Sequence, residues 1–311
     1  MSETPDPSGP SLREIGEEAL IERVAALAPV PGGPAAGPGD DCAVVDDFQP
    51  PRGDDPLLLL KTDALVERIH YRAGEDPGWV GWKAVARVAS DFAAMGGAPG
   101  RFLVTLALPA DRPAAWVDAL YRGMARAMRW CGGQLAGGET TAVPDGSAAV
   151  ISVAATGRVA RRHLVLRSTA RPGDVIYITG RLGGSLESGR HLDFHPRLPE
   201  AAWLVRHFKP TAMMDLSDGL AADLPKLARA SGAGFALDRE AVPRQVGVTI
   251  EAAMNDGEDF ELLFTQPADA DSEEIEAKWR MAFPEVALTR IGMMTAEPPD
   301  VGPGDGWSHF R

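Results

Sequence analysis

Positive charge, cysteine and long apolar runs are all scarce in this chain. Among 311 residues, 31 are Lys or Arg and 44 are Asp or Glu, a formal net charge of −13. Nucleic-acid coats and anionic membrane surfaces both call for clustered Lys and Arg, so the balance argues against either partner. Only Cys42 and Cys131 occur, in no CxxC or zinc pattern. A reduced compartment and small-hydrophobe roles are their natural reading. No apolar stretch approaches the roughly 20 residues of a membrane span. The opening "MSETPDPSGPSLRE" is polar and Pro-rich and lacks the charged-then-apolar order of a signal peptide. A cytoplasmic protein with a frayed N-terminus is therefore expected. HExxH, a Walker A loop and the protein-kinase motif set are missing too, which removes the commonest metalloprotease and nucleotide-binding templates.

What is present is ample apolar material, 45% of the chain, and many acids beside Gly, Ser or Thr. The length suggests two domains of about 150 residues each. "LREIGEEALIERVAAL" has apolar residues near helical spacing and reads as an amphipathic helix. "CAVV" and "LLLLKTD" read as strands, the second buried on both faces. "WVGWKAVARVASDFAAM" reads as a helix closed by Gly96 and Gly97, and "AAWVDALYRGMARAMRW" as one stopped by Gly132 and Gly133. "RFLVTLALP", "AAVISVAATGRV", "DVIYIT" and "FELLFTQ" are strands, and "QLAGGETT" is a short strand running into a loop. "AAWLVRHF" suggests a short helix, and "MMDLSDGLAADLPKLARASG" a loop followed by a helix that contains Pro225. The alternation predicts an α/β (α+β) protein of two layered domains meeting near residue 158.

The acids fall in repeated contexts: "GPGDDC" (Asp40, Asp41), "KTD" (Asp63), "ASDF" (Asp91), "GGETT" (Glu139), "DLSDGL" (Asp215, Asp218) and "DGEDFE" (Glu258, Asp259). Taken singly, each has a plainer reading. "DLSDGL" is first of all a helix N-cap, "GGETT" a turn and Asp91 a paired helix acid. Taken together, converging carboxylates repel one another unless cations lie between them. Carboxylate and hydroxyl oxygens suit magnesium, and no His/Cys set suits zinc. "GRLGGS" resembles a phosphate loop only loosely and reads as a turn.

In order, "GPGDDCAVV", "KTDALVERIHY", "GWKAVARVASDFAAMGGAPG", "GGETT", "LRSTARPGDVIYITG", "MMDLSDGLAADL", "GEDFELLFT" and the terminal "GWSHF" resemble thiamine-monophosphate kinase. That family shares a superfamily with aminoimidazole ribonucleotide synthetase, selenophosphate synthetase and a hydrogenase maturation protein. The resemblance runs from residue 16 to residue 310. It implies phosphorylation of thiamine monophosphate to thiamine diphosphate with ATP and several Mg2+ ions. It implies an N-terminal ATP- and metal-binding domain over residues 12–157 that joins its copy in a homodimer, and a C-terminal α/β domain over residues 158–311. Carried over by position, Asp41, Thr62, Asp63, Asp91, Glu139, Asp215 and Asp218 would hold magnesium, with Asp40 in support. Tyr121, Gly138, Glu139, Arg167 and Ser217 would touch ATP, and His70, Glu258 and Trp307 the thiamine monophosphate. Lys61 stands where the family usually has Ser or Thr, and Glu139 where it usually has Asp.

Overall fold

Strands and helices alternate along the chain but sort into two mixed layers. The computed structural model describes residues 11–27, 40–45 and 56–297. Its first part holds α1 (Leu12–Leu27), β1 (Ala43–Val45), β2 (Leu57–Val66), α2 (Pro77–Ala94), β3 (Ala98–Pro109), α3 (Ala114–Cys131), β4 (Gln134–Val143) and β5 (Val150–Val159). Its second part holds β6 (Val175–Thr179), α4 (Ser185–Ser188), α5 (Arg190–Asp193), α6 (Leu198–His207), β7 (Ala212–Asp215), α7 (Leu220–Ala230), β8 (Gly234–Leu237), α8 (Ile250–Asn255), β9 (Leu262–Gln266), α9 (Ser272–Ala282) and β10 (Leu288–Thr295).

The first sheet has the order β1-β2-β5-β3-β4 and the second β7-β9-β6-β10-β8. Strands β3 and β4 run parallel, whereas the other named pairings are antiparallel. A parallel pair needs a crossover, and α3 provides it. Asp76 caps α2 by accepting from the Trp79 N–H, and Pro77 opens the first turn. Gly132, at φ 78°, ends α3 in the left-handed conformation expected of a terminal glycine.

Several elements differ from the sequence expectation. Strand β2 is not buried on both faces. Leu57, Leu59 and Leu65 face the core, while Leu60, Thr62 and Ala64 are exposed, because nothing among the described residues covers the outer side of the first sheet. "QLAGGETT" is part of a ten-residue edge strand, β4, exposed along nearly its whole length. "MMD" is strand rather than loop, paired to β9. The helix at the N-terminus breaks at Gly16, where φ is 75°. Helix α7 runs through Pro225 as expected.

Helix α2 organises the molecule. One flank, with Val85, Val88 and Phe92, packs into the first core beside Leu59, Phe102 and Ile151. Ala93, near its C-terminus, packs instead with Tyr177, Val205 and Phe264 of the second part. Tyr177 and Phe264 are directly opposed on neighbouring strands and stack at 5.4 Å. The remaining face of α2 lies between the two layers, and its polar residues meet there.

Candidate active site

Three carboxylates reach one point from three elements. Asp41 precedes β1, Asp91 lies in the last turn of α2 and Asp215 ends β7. One oxygen from each lies within 4.8 Å of the others, and all three residues are buried. Charge so concentrated out of water needs compensation. Arg167, on the segment joining the two sheets, donates from Nη2 to Asp41 Oδ1 at 2.6 Å, and its backbone N–H donates to Asp40 Oδ2 at 3.1 Å. Lys61, on β2, donates from Nζ to Asp91 Oδ1 at 2.7 Å and lies 3.7 Å from Asp63 Oδ1.

The electrostatics follow from this crowding. Burial, then the neighbouring Asp41 charge, pushes the Asp215 carboxyl up to about 7, against a hydrogen bond from the Ser90 hydroxyl. Burial and Asp41 likewise raise Asp40 to about 6. Asp91 is held well above the usual carboxylate range, chiefly by burial. Burial opposes the charge of Lys61, but Asp63 and Asp91 outweigh it and keep its ammonium above the ordinary lysine value. Asp41 Oδ2 is buried with no hydrogen-bond partner among the described residues. Close, all-oxygen donors with an unsatisfied buried carboxylate oxygen fit a hard divalent cation such as Mg2+.

The other residues expected to hold metal are placed differently. Asp63 adjoins the cluster through Lys61. The Thr62 side chain is exposed on the opposite face of β2, as strand alternation dictates. Glu139 lies on exposed β4, three strands from Asp63, roughly 14 Å along the sheet. Beside it, a side chain at Gly138 would meet the Val104 carbonyl at 2.0 Å, so the glycine permits close approach of β4 to β3. Asp218 stands apart in the β7–α7 loop and pairs with Lys226. In that loop the helix-start role expected of "DLSDGL" falls to Asp223. Its Oδ2 accepts from the Ser217 and Asp218 N–H groups at 3.0 and 2.9 Å, which leaves Asp215 to the cluster.

A cleft between the layers gathers His70, Arg87, Ser217, Asp218, Glu258 and Phe260. The segment carrying Glu258 is tied to the β7–α7 loop. The Glu258 N–H donates to Ser217 O at 2.7 Å and the Phe260 N–H to Leu216 O at 2.8 Å. Both residues adopt positive φ, 56° and 51°, a strained conformation for side chains of this size. Lys83, fully buried on α2, donates to the His70 carbonyl at 2.5 Å, contacts His191 Nδ1 at 2.9 Å and ion-pairs with Glu258. Burial opposes the Glu258 charge, but His191, Lys83 and Arg87 outweigh it and bring the carboxyl down to about 2. Burial lowers the Lys83 ammonium.

Lys83 and Arg87 escaped the sequence reading because α2 was judged by its apolar positions. The available signal was their spacing: residues 83, 87 and 91 recur every four positions and line one helix face. Tyr121 is half-buried on α3 and packs against the first core. Trp307 lies outside the described residues.

Residues 39–159 match the family model described as "AIR synthase related protein, N-terminal domain". The chain is 33% identical over 321 residues to the thiamine-monophosphate kinase of Synechococcus elongatus, covering 93% of this chain and 91% of that protein. The chain belongs to the thiamine-monophosphate kinase family. The family's member from Aquifex aeolicus is 31% identical, with 96% of this chain and 99% of that protein covered. A solved structure of this family, "AaThiL complexed with AMPPCP and TMP", superposes with a TM-score of 0.80 at 29% identity, over 97% of this chain and 99% of that one. The family fold therefore extends through both layers and across the cleft between them.

Proposed function

We propose that this chain transfers the γ-phosphoryl group of ATP to thiamine monophosphate, giving ADP and thiamine diphosphate. The observation that carries this reading is the convergence of Asp41, Asp91 and Asp215 from both layers, in a chain of the thiamine-monophosphate kinase family. A relative of the same fold was solved with an ATP analogue and TMP together.

The acceptor is a phosphate oxygen, already anionic at neutral pH, so the step needs no general base. It needs alignment of the two phosphates and neutralisation of their charge. Magnesium bound by Asp41, Asp91 and Asp215, with Asp63, Thr62, Asp218 and Glu139 as further candidates, supplies that positive charge. Arg167, fixed by Asp40 and Asp41, adds a permanent cation beside the cluster. Gly138, Glu139, Ser217 and Tyr121 complete the set proposed for ATP. Glu258, kept ionised by Lys83, and His70 present polar groups to the cleft for thiamine monophosphate, with Trp307 as their proposed aromatic partner.

The reading includes a homodimer. The outer face of the first sheet exposes Leu60 and Leu103, with Ala136 beside them on β4, and β4 is an open edge. A second copy would cover both. It also includes a cytoplasmic setting, on the sequence grounds given above, and a division at residues 157 and 158 between the ATP-binding and C-terminal domains.

The test is acceptor choice under metal control. With ATP and Mg2+, the purified protein should convert thiamine monophosphate, and not thiamine, to thiamine diphosphate. Excess EDTA should abolish turnover while leaving the far-ultraviolet circular dichroism spectrum unchanged. Equal use of thiamine, or full turnover in EDTA, would refute the reading.

A further inference from the structure

The cluster already contains cations of its own, and the two are not alike. Arg167 spreads a planar guanidinium over Asp40 and Asp41. Lys61 brings a compact ammonium, closer in shape to a metal ion, to the other end of the cluster. Its position is set by strand geometry. Lys61 and Asp63 are two apart on β2 and share the face that looks towards α2. Asp91 reaches the same point from the last turn of α2. The ammonium therefore lies between two carboxylates on different elements, 2.7 Å from one and 3.7 Å from the other.

A surface lysine would extend its head group into water. Lys61 instead turns it inward onto a carboxylate whose side chain is only 8% exposed. The Asp41 end looks different. There Asp41 Oδ2 has no hydrogen-bond partner among the described residues, and Asp215 meets the Ser90 hydroxyl rather than a cationic side chain in direct contact. At one end an ammonium sits between two carboxylates; at the other Arg167 takes Asp41 Oδ1 and leaves Oδ2 without a partner among the described residues.

We infer that Lys61 is a built-in cation that replaces one divalent ion between Asp63 and Asp91, confining divalent binding to the point where Asp41, Asp91 and Asp215 converge. The inference rests on the reading of this cluster as a divalent-cation site. Its consequence is a metal count per chain that one substitution raises. Removing the ammonium frees Asp63 and Asp91 to bridge another ion, whereas keeping a cation there does not.

The experiment counts bound Mn2+ by the electron paramagnetic resonance signal of the free ion, with a non-hydrolysable ATP analogue and no acceptor present. Lys61→Thr and Lys61→Gln should each bind one Mn2+ more per chain than the wild type. Lys61→Arg should keep the wild-type count. Mn2+ should also raise the Tm of the two neutral variants more than that of the wild type. Equal counts in the wild type and a folded neutral variant would overturn the inference, as would an extra ion in Lys61→Arg. If the neutral variants fold only with metal, Mn2+ must restore their folding, and absence of that rescue overturns it too. The count requires no turnover. Failure to phosphorylate thiamine monophosphate, with the difference in Mn2+ intact, would remove the kinase reading alone.

Discussion

Glu258 shows how a single half-buried residue can be charged at a fixed conformational cost. It holds a positive φ of 56°, and its carboxylate is balanced by Lys83 and His191 beneath the cleft. Its folded value of about 2 lies below the ordinary 4.5. A depressed acid adds stability that is complete above its unfolded value and lost as pH falls through its folded value. Protonating Glu258 leaves Lys83 without its anion, as Glu258→Gln does at any pH. The Tm of Glu258→Gln should therefore fall below the wild type by several degrees at pH 7. Differential scanning calorimetry should find that gap closing between about pH 4.5 and pH 2. A gap that stayed constant across this window would mean that the ion pair contributes nothing.

At the scale of elements, α2 is decisive, and its packing leaves no slack. A Cβ on Gly81 would lie 2.0 Å from the Leu120 carbonyl, and one on Gly123 would lie 1.8 Å from the Gly78 carbonyl. The α2 and α3 backbones touch because these positions lack side chains. Gly81→Ala should cost about 2–3 kcal/mol, read as a Tm lowered by several degrees. Because α2 also carries Asp91 and Lys83, activity should fall with it; an unchanged Tm would show that the helices can separate freely.

Helix α2 also marks how far the sequence could be read. Its apolar run and its closing glycines defined it, and Asp91 stood out as an acid among apolar neighbours. The pairing of Asp91 with Lys61 did not show, because a contact across 30 residues leaves no local pattern. Lys83 was invisible for a related reason: its partners Glu258 and His191 lie 175 and 108 positions away. Strand β7 was missed because four residues, "AMMD", are too few for a periodicity to emerge. Strand β2 was read as doubly buried because "LLLL" gives no polar alternation, although one of its faces is open. The motif acids were legible. Their grouping was not, and only the fold distinguishes Asp41, Asp91 and Asp215 from Glu139 at the far edge of the sheet.

For the whole molecule, the exposed outer face of the first sheet is the main unbalanced feature. Leu103 is 51% exposed there and Leu60 38%. On the homodimer reading, Leu103→Glu should shift sedimentation from dimer to monomer and lower activity, while the core behind the sheet keeps its circular dichroism. A wild type that sediments as a monomer at all concentrations would remove the dimer from the account. The central claim, that a carboxylate cluster drawn from both layers drives phosphoryl transfer to thiamine monophosphate, is tested most directly by label transfer. Protein, Mg2+, thiamine monophosphate and ATP labelled at the γ-phosphate are mixed, and the initial rate is compared between the wild type and Asp91→Asn. The account predicts label in the terminal phosphate of thiamine diphosphate, at a rate at least about 100-fold lower in a folded Asp91→Asn variant. Label released only as inorganic phosphate, or an undiminished rate in Asp91→Asn, would contradict it.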